Sequence, residues 1–310
     1  MVILQHYIET TYWQPAATHT YDLSIIVGVH SLFYSITNAK GDLCLFKVYQ
    51  YQTPIHNNEA EIWHALLVQD AFLTQNFASI NLAYASPYIV LLPEVLYDSA
   101  YVKDYLQTAY ANLPIEDLLF FEKGITTEIV AAYALSKTWF SIIQSTHNNI
   151  TVAKHIAVGW LAFIQERNTC FVKALPTVFV HVIENTLYIA VYKGKDLLYF
   201  NSFIFKSADD FLYYILLVYQ QLDLNTKENP LYCSGALVAD SLIYKLLYQY
   251  IQYLDFLPLD KNFAILKIAN DLEAIVKTDF ILIESATIEE KSNKVDFLPQ
   301  AYWDLYILSM

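Results

Sequence analysis

Residues Leu23–Tyr51 read LSIIVGVHSLFYSITNAKGDLCLFKVYQY, and residues Val178–Phe205 read VFVHVIENTLYIAVYKGKDLLYFNSFIF. Each stretch is three apolar, alternating runs parted by short polar turns, and each leads through a turn into an amphipathic helix. Leu32-Phe33-Tyr34-Ser35-Ile36 aligns with Leu187-Tyr188-Ile189-Ala190-Val191, and Lys40-Gly41-Asp42-Leu43 with the tighter Lys195-Asp196-Leu197. Period-two alternation bounded by polar turns predicts strands. A repeated unit of this size predicts two similar α/β halves facing one another.

Working outward, the first half predicts strands at about Leu23–Val29, Leu32–Thr37 and Leu43–Gln50, closed by Pro54. Asn57 or Asn58 can cap a helix with Ile62, Trp63, Leu66, Leu67 and Leu73 on its apolar face, and Glu59 and Glu61 in the first turn suit its dipole. Further expectations are a short strand at Ile89–Leu92 stopped by Pro93, a helix from Asp98 or Ser99 to Ala111, and strands at Leu118–Glu122 and Ile129–Leu135. A helix at Ser136–Ser145, a strand at Ile150–Ala153 and a helix at Lys154–Arg167 complete it, with Pro176 as hinge. In the second half, Ser207-Ala208-Asp209-Asp210 resembles a capping box ahead of Phe211, Ile215, Val218 and Leu222. A strand at Leu231–Gly235, a helix at Val238–Tyr253, strands at Ala264–Ile268 and Phe280–Ile283 and a helix between them near Asn270–Val276 follow. The expected division is 1–170, 171–285, and 286–310, the last a polar linker (Ser285–Asp296) and an apolar tail (Phe297–Met310).

Composition restricts function. An apolar fraction of 56% over 310 residues gives ample core. Mean hydropathy is +0.31, yet the longest apolar run, Ile156–Ile164, is about half of the roughly 20 residues a membrane span requires. MVILQHYIETTYW has neither a basic start nor a small-residue cleavage site, so the expectation is a soluble cytoplasmic protein without membrane insertion. The net charge is −13 and Arg167 is the one arginine. Binding to nucleic acid draws on clustered Lys and Arg against phosphates, so no nucleic-acid partner is expected. Cys44, Cys170 and Cys233 have no metal or redox spacing and read as core residues in a reducing compartment.

The order three strands, helix, strand, helix, strand, helix, present twice, resembles the actin-like, or ribonuclease H-like, ATPase fold of sugar kinases, heat-shock chaperones and pilus-assembly ATPases. Asn201-Ser202-Phe203, Asp209–Tyr214 and Tyr232–Gly235 are also similar to an uncharacterised bacterial family, the likeness covering about residues 20–285. The resemblance implies duplicated halves, each a three-strand meander plus helices on a mixed sheet. It also implies an Asp-x-Gly type turn after the first strand of each half, where Asp holds metal-bound phosphate and Gly admits backbone amides. Here Gly28 stands in the Asp position, His30 in the Gly position, and only Ser31 fits. In the second turn, Ile183-Glu184-Asn185-Thr186, the acid is displaced, there is no glycine, and only Thr186 fits. The adenosine turn, Ser234-Gly235-Ala236, keeps one glycine of the usual pair. The resemblance thus implies a retained fold with lost nucleotide chemistry, and no cofactor.

Other constellations are weaker. Glu61-Ile62-Trp63-His64, near His56 and Glu59, is one E-x-x-H where a carboxylate-bridged dimetal site needs two, so it reads as an acidic helix start. Cys170 and Ser234 lack a base and an orienting acid at any known spacing. His181 reads as a satisfied core histidine, and Glu284, Glu289 and Glu290 as a solvated stretch. Tyr244, Tyr248, Tyr250 and Tyr253, like Tyr213, Tyr214 and Tyr219, suit either core or a protein–protein surface. Tyr244, Tyr248, Tyr302, Trp303 and Tyr306 form the candidate interaction surface. The leading expectation is a non-catalytic scaffold that binds a protein partner or forms a weak homodimer. The alternative is a nucleotide-binding or ATP-hydrolysing enzyme with a non-standard site in the cleft.

Overall fold

The computed structural model describes residues 2–51, 59–111, 113, 118–126, 128–167 and 175–258. Strand β1 (Val2–Glu9) is followed by the first meander, β2 (Asp22–Val27), β3 (Ser31–Thr37) and β4 (Leu43–Tyr51). Helix α1 (Glu59–Gln69) then returns the chain to β5 (Ser79–Tyr84), parallel to β2. An insertion follows: β6 (Ile89–Pro93), α2 (Val102–Ala109), β7 (Leu118–Thr126) and β8 (Ile129–Leu135). Helix α3 (Lys137–Thr146), β9 (Ile150–His155), parallel to β5, and α4 (Ile156–Arg167) end the first part. The second meander is β10 (Thr177–Ile183), β11 (Thr186–Lys193) and β12 (Asp196–Ile204), followed by α5 (Ala208–Gln221), β13 (Leu231–Gly235), α6 (Leu242–Tyr250) and β14 (Leu254–Phe256).

The sheet orders are β1-β4-β3-β2-β5-β9, β12-β11-β10-β13-β14, and β6-β8-β7. With β1 set aside, the first two share one plan: an antiparallel meander whose first strand takes a fourth strand in parallel, and the fourth a fifth. The hairpins differ as their turn residues dictate. Asn38 Oδ1 accepts from the Lys40 and Asp42 amides while Gly41 takes φ 78°. Lys193 pairs with Asp196, so only Gly194, φ 60°, and Lys195 remain for the second turn.

Every residue of β10 is buried, and successive side chains separate two cores. Val178, Val180 and Val182 face Phe211, Ile215 and Leu247 of α5 and α6, whereas Phe179 and Ile183 join the large core that includes Trp160 of α4 and the first sheet. Ser207 caps α5 as its sequence predicts, accepting from the Asp210 amide, while the Asp210 carboxylate accepts from the Lys206 amide.

Several elements depart from expectation. Ser79–Tyr84 (SINLAY), where no strand is expected, becomes the parallel neighbour of β2. Ile89–Pro93 is a strand, but it pairs with β8 in the separate sheet. Helix α6 begins at Leu242, because Ser241 caps it, and stops at Tyr250, because Leu254–Phe256 pair with β13. Helix α4 starts at Ile156 because Lys154 and His155 are taken up in β9. Pro54, His56, Asn57, Asn58, Cys170, the elements expected across 264–283, Glu284, Glu289, Glu290, and the 285–310 linker and tail with Tyr302, Trp303 and Tyr306 lie outside the described residues.

The turn after α1 is fastened by a buried carboxylate. Asp70 Oδ2 accepts from Tyr34 Oη (2.5 Å), Tyr49 Oη (2.6 Å) and Lys47 Nζ (2.9 Å), and Oδ1 from the Phe72 amide (3.2 Å). Burial, reinforced by Asp70, drives the Tyr34 and Tyr49 phenols well above their ordinary range. Asp70→Ala would strand a cation and two hydroxyls in the core, so it is expected to lower stability by about 3–5 kcal/mol. The solvent-facing Lys123–Glu94 pair is expected to contribute at most about 1 kcal/mol. Urea denaturation of Asp70→Ala and Lys123→Ala measures both.

Candidate functional site

The two meander turns meet. Gly28-Val29-His30 joins β2 to β3, and the Gly28 amide donates to the Ser31 carbonyl (2.8 Å). Ile183 pairs with Thr186, leaving Glu184 and Asn185 as a two-residue loop. Glu184 has φ 52°, a left-handed conformation at the position where such a turn favours glycine. A non-glycine residue held there costs about 1–3 kcal/mol.

The side chain shows what offsets that strain. Glu184 Oε2 accepts from the Val29 amide (2.9 Å), and Oε1 accepts from the His30 amide (2.8 Å) and from Ser31 Oγ. Hydrogen bonds to a carboxylate contribute about 1.5–3 kcal/mol each. A Cβ on Gly28 would lie 2.4 Å from Glu184 Oε1, so a side chain at 28 would force the carboxylate to shift from its donors, the Gly28 φ being ordinary. Tyr51 closes the back: its amide donates to the His30 carbonyl (2.8 Å), and burial together with the Glu184 charge drives its phenol well above the usual value. Asn185 accepts from the Phe205 amide through its carbonyl, and Thr186 is buried at the start of β11.

The third predicted turn has a different role. Gly235 has φ 83°, and a Cβ there would lie 2.1 Å from the Val182 carbonyl oxygen. Ser234 is buried at the seam, its hydroxyl donating to the Val180 carbonyl (2.9 Å), accepting from Trp160 Nε1 (3.2 Å) and lying 3.0 Å from His181 Nδ1. Trp160 stacks on the His181 ring. With its proton committed and no exposure, Ser234 is a structural residue.

Ser86 and His155 form a serine–histidine contact that the sequence did not signal, because they are 69 residues apart. His155 Nδ1 accepts from the Ala157 amide, so Nε2 carries the proton and donates to the Ser86 carbonyl (2.8 Å). No ring lone pair is left to draw a proton from the Ser86 hydroxyl at 3.3 Å. The same carbonyl accepts from Tyr188 Oη (2.7 Å), and Ser202 Oγ donates to the Pro87 carbonyl (2.7 Å), so the segment after β5 is tied to the second sheet. Cys44 and Cys233 are core residues, and burial pushes the Cys44 thiol up to about 11. Glu61 and His64 are exposed on α1, and among the described residues no three His, Cys, Asp or Glu side chains gather as metal ligands.

The tyrosines divide. Tyr219 is buried, donating to the Asn229 carbonyl, Tyr214 stacks on Phe203, and Tyr244 stacks on Phe256 at 4.8 Å. Tyr248 is 68% exposed, with Tyr250 and Tyr253 also at the surface. Tyr248 and Tyr253 line a shallow groove of about 250 Å³ with Pro230, Tyr232, Leu254 and Asp255, alongside β14.

This architecture is the actin-like α/β fold. A Bacteroides thetaiotaomicron protein with actin-like ATPase fold and unknown function superposes with a TM-score of 0.66 at 14% identity, over 83% of this chain and 98% of that one. A chain of the PilM-PilN type IV pilus biogenesis complex gives 0.45 at 13% identity, over 77% and 88%, and the AlfA filament from a B. subtilis plasmid 0.38 at 11%, over 78% and 94%. In sequence, the model of the family described as Protein of unknown function (DUF3822) matches residues 13–254, and the chain belongs to that family. No curated protein matches it in sequence. Among the described residues no helix is long and apolar enough to cross a membrane.

Two outcomes are expected. Burial lowers the His155 pKa from 6.5 to about 4. Between those values the unfolded chain takes up a proton that the folded chain refuses. The stabilisation is therefore whole above the unfolded value and lost as pH falls through the window, about 3 kcal/mol in all. Urea midpoints from pH 7 to pH 4.5 should fall less steeply in His155→Gln. Gly235→Ala, strained in φ and pressed against the Val182 backbone, should destabilise by at least about 1–3 kcal/mol, whereas Gly41→Ala, with open space around it, should cost less.

Proposed function

We propose that this protein is a non-catalytic scaffold or interaction protein on an actin-like fold, whose cleft has lost nucleotide binding. One observation carries the reading: the Glu184 carboxylate sits against the amides of the turn where the fold resemblance places phosphate. A triphosphate there would meet a fixed negative charge, and Gly28 supplies no carboxylate for its metal. The exposed Tyr248, Tyr250 and Tyr253 supply rigid aromatic area of the kind that protein partners, or a second copy, bury. On this reading residues 1–170 and 171–285 act as two halves clamped by their turns. The working compartment is the cytoplasm, and neither nucleic acid nor a cofactor takes part.

Thermal denaturation with ATP, ADP and Mg²⁺ tests this. A ligand at 100 times its dissociation constant would add about 2.7 kcal/mol, a rise of about 4 °C for a chain of this size. The expected result is no shift, with no heat in calorimetric titration. Saturable ATP binding by the wild-type chain would establish the nucleotide-binding alternative instead.

A further inference from the structure

The Val29–Ser31 turn offers three donors that converge on one acceptor group: the Val29 amide, the His30 amide and Ser31 Oγ. That is the hydrogen-bonding arrangement of a backbone anion nest. It already holds an anion, and the anion belongs to the chain. Among the described residues no cation pairs with Glu184, so recognition rests on these neutral donors.

Glu184 and Gly28 are a matched pair. The carboxylate lies where any side chain at 28 would begin, and it reaches that place from a left-handed residue on the opposing turn. Since the two turns belong to sheets sharing one core, the carboxylate is presented at a fixed distance. A tethered occupant of this kind acts at an effective concentration of millimolar or more. A free oxyanion that binds weakly cannot displace it.

We propose that the Gly28–Ser31 turn is a seat for a small oxyanion, of the phosphate or carboxylate class, kept shut by Glu184 as its built-in occupant. The inference rests on the proposed non-catalytic reading and adds to it the reason the cleft is closed: it is filled, and the donors beneath are intact. A partner that draws the Glu184 turn away would open the seat.

The probe is inorganic phosphate, read by amide chemical shifts of Val29 and His30 in the full chain. Wild type should show no saturable shift. Glu184→Gly removes the carboxylate and the left-handed strain together. It should show saturable shifts at both amides, with affinity for phosphate about tenfold or more above wild type, weakened again by adding Ser31→Ala. Glu184→Ala also removes the carboxylate but keeps a non-glycine residue at the turn; it should give the same shifts, and it serves if Glu184→Gly does not fold. Gly28→Ala should lower the melting temperature of wild type more than that of Glu184→Gly. A folded Glu184→Gly, or Glu184→Ala in its place, whose Val29 and His30 amides ignore phosphate overturns the seat. Wild-type shifts equal to those of the variant overturn Glu184 as its occupant. Neither result bears on ATP binding by wild type, which is the failure mark of the earlier reading.

Discussion

A single carboxylate sets the relation between the two meanders. Glu184 leaves a tight hairpin in one sheet and is received by the β2–β3 turn of the other. Around it the seam carries further polar contacts: Tyr188 and His155 share the Ser86 carbonyl, Ser202 holds the Pro87 carbonyl, and Ser234 takes the Trp160 indole. Each group would be costly to bury alone, and each has its partner on another element. The two sheets are therefore fixed by direction as well as by apolar contact.

That seam also explains how α4 is used. Its sequence, IAVGWLAFIQER, is apolar around most of its circumference, as a helix enclosed on several sides must be. Trp160 serves both neighbours, stacking on His181 while its N–H reaches Ser234. The Asp70 cluster plays a corresponding part within the first sheet, where it joins the chain after α1 to β3 and β4. Both are buried polar anchors in a protein that is otherwise held by apolar and aromatic packing.

A fold does not carry its chemistry with it. The actin-like framework here brings two meander turns together, and the residues placed in them bond to one another. The Ser86–His155 pair gives the same lesson on a smaller scale. Its residues are those of a nucleophile and base, yet both ring nitrogens are committed to backbone groups.

The sequence alone determined the two meanders, their hairpins and the α5 cap. Alternation, turn glycines and Ser207 act over a few residues, and local physics is visible locally. It also singled out Gly28, His30, Ser31 and Glu184 as residues of two opposing turns. Tertiary structure decided what those residues do. Glu184 reads as a displaced acid in its own hairpin, and its partners lie more than 150 positions away, so no local pattern could announce the contact. SINLAY likewise became a core strand because β2 offered it an open parallel edge. Tyr219 went inward and Tyr248 outward from helices with similar aromatic texture, because burial depends on which face meets the sheet. Sequence specified the elements and their chemistry; packing of one sheet against the other determined which donors meet which acceptors.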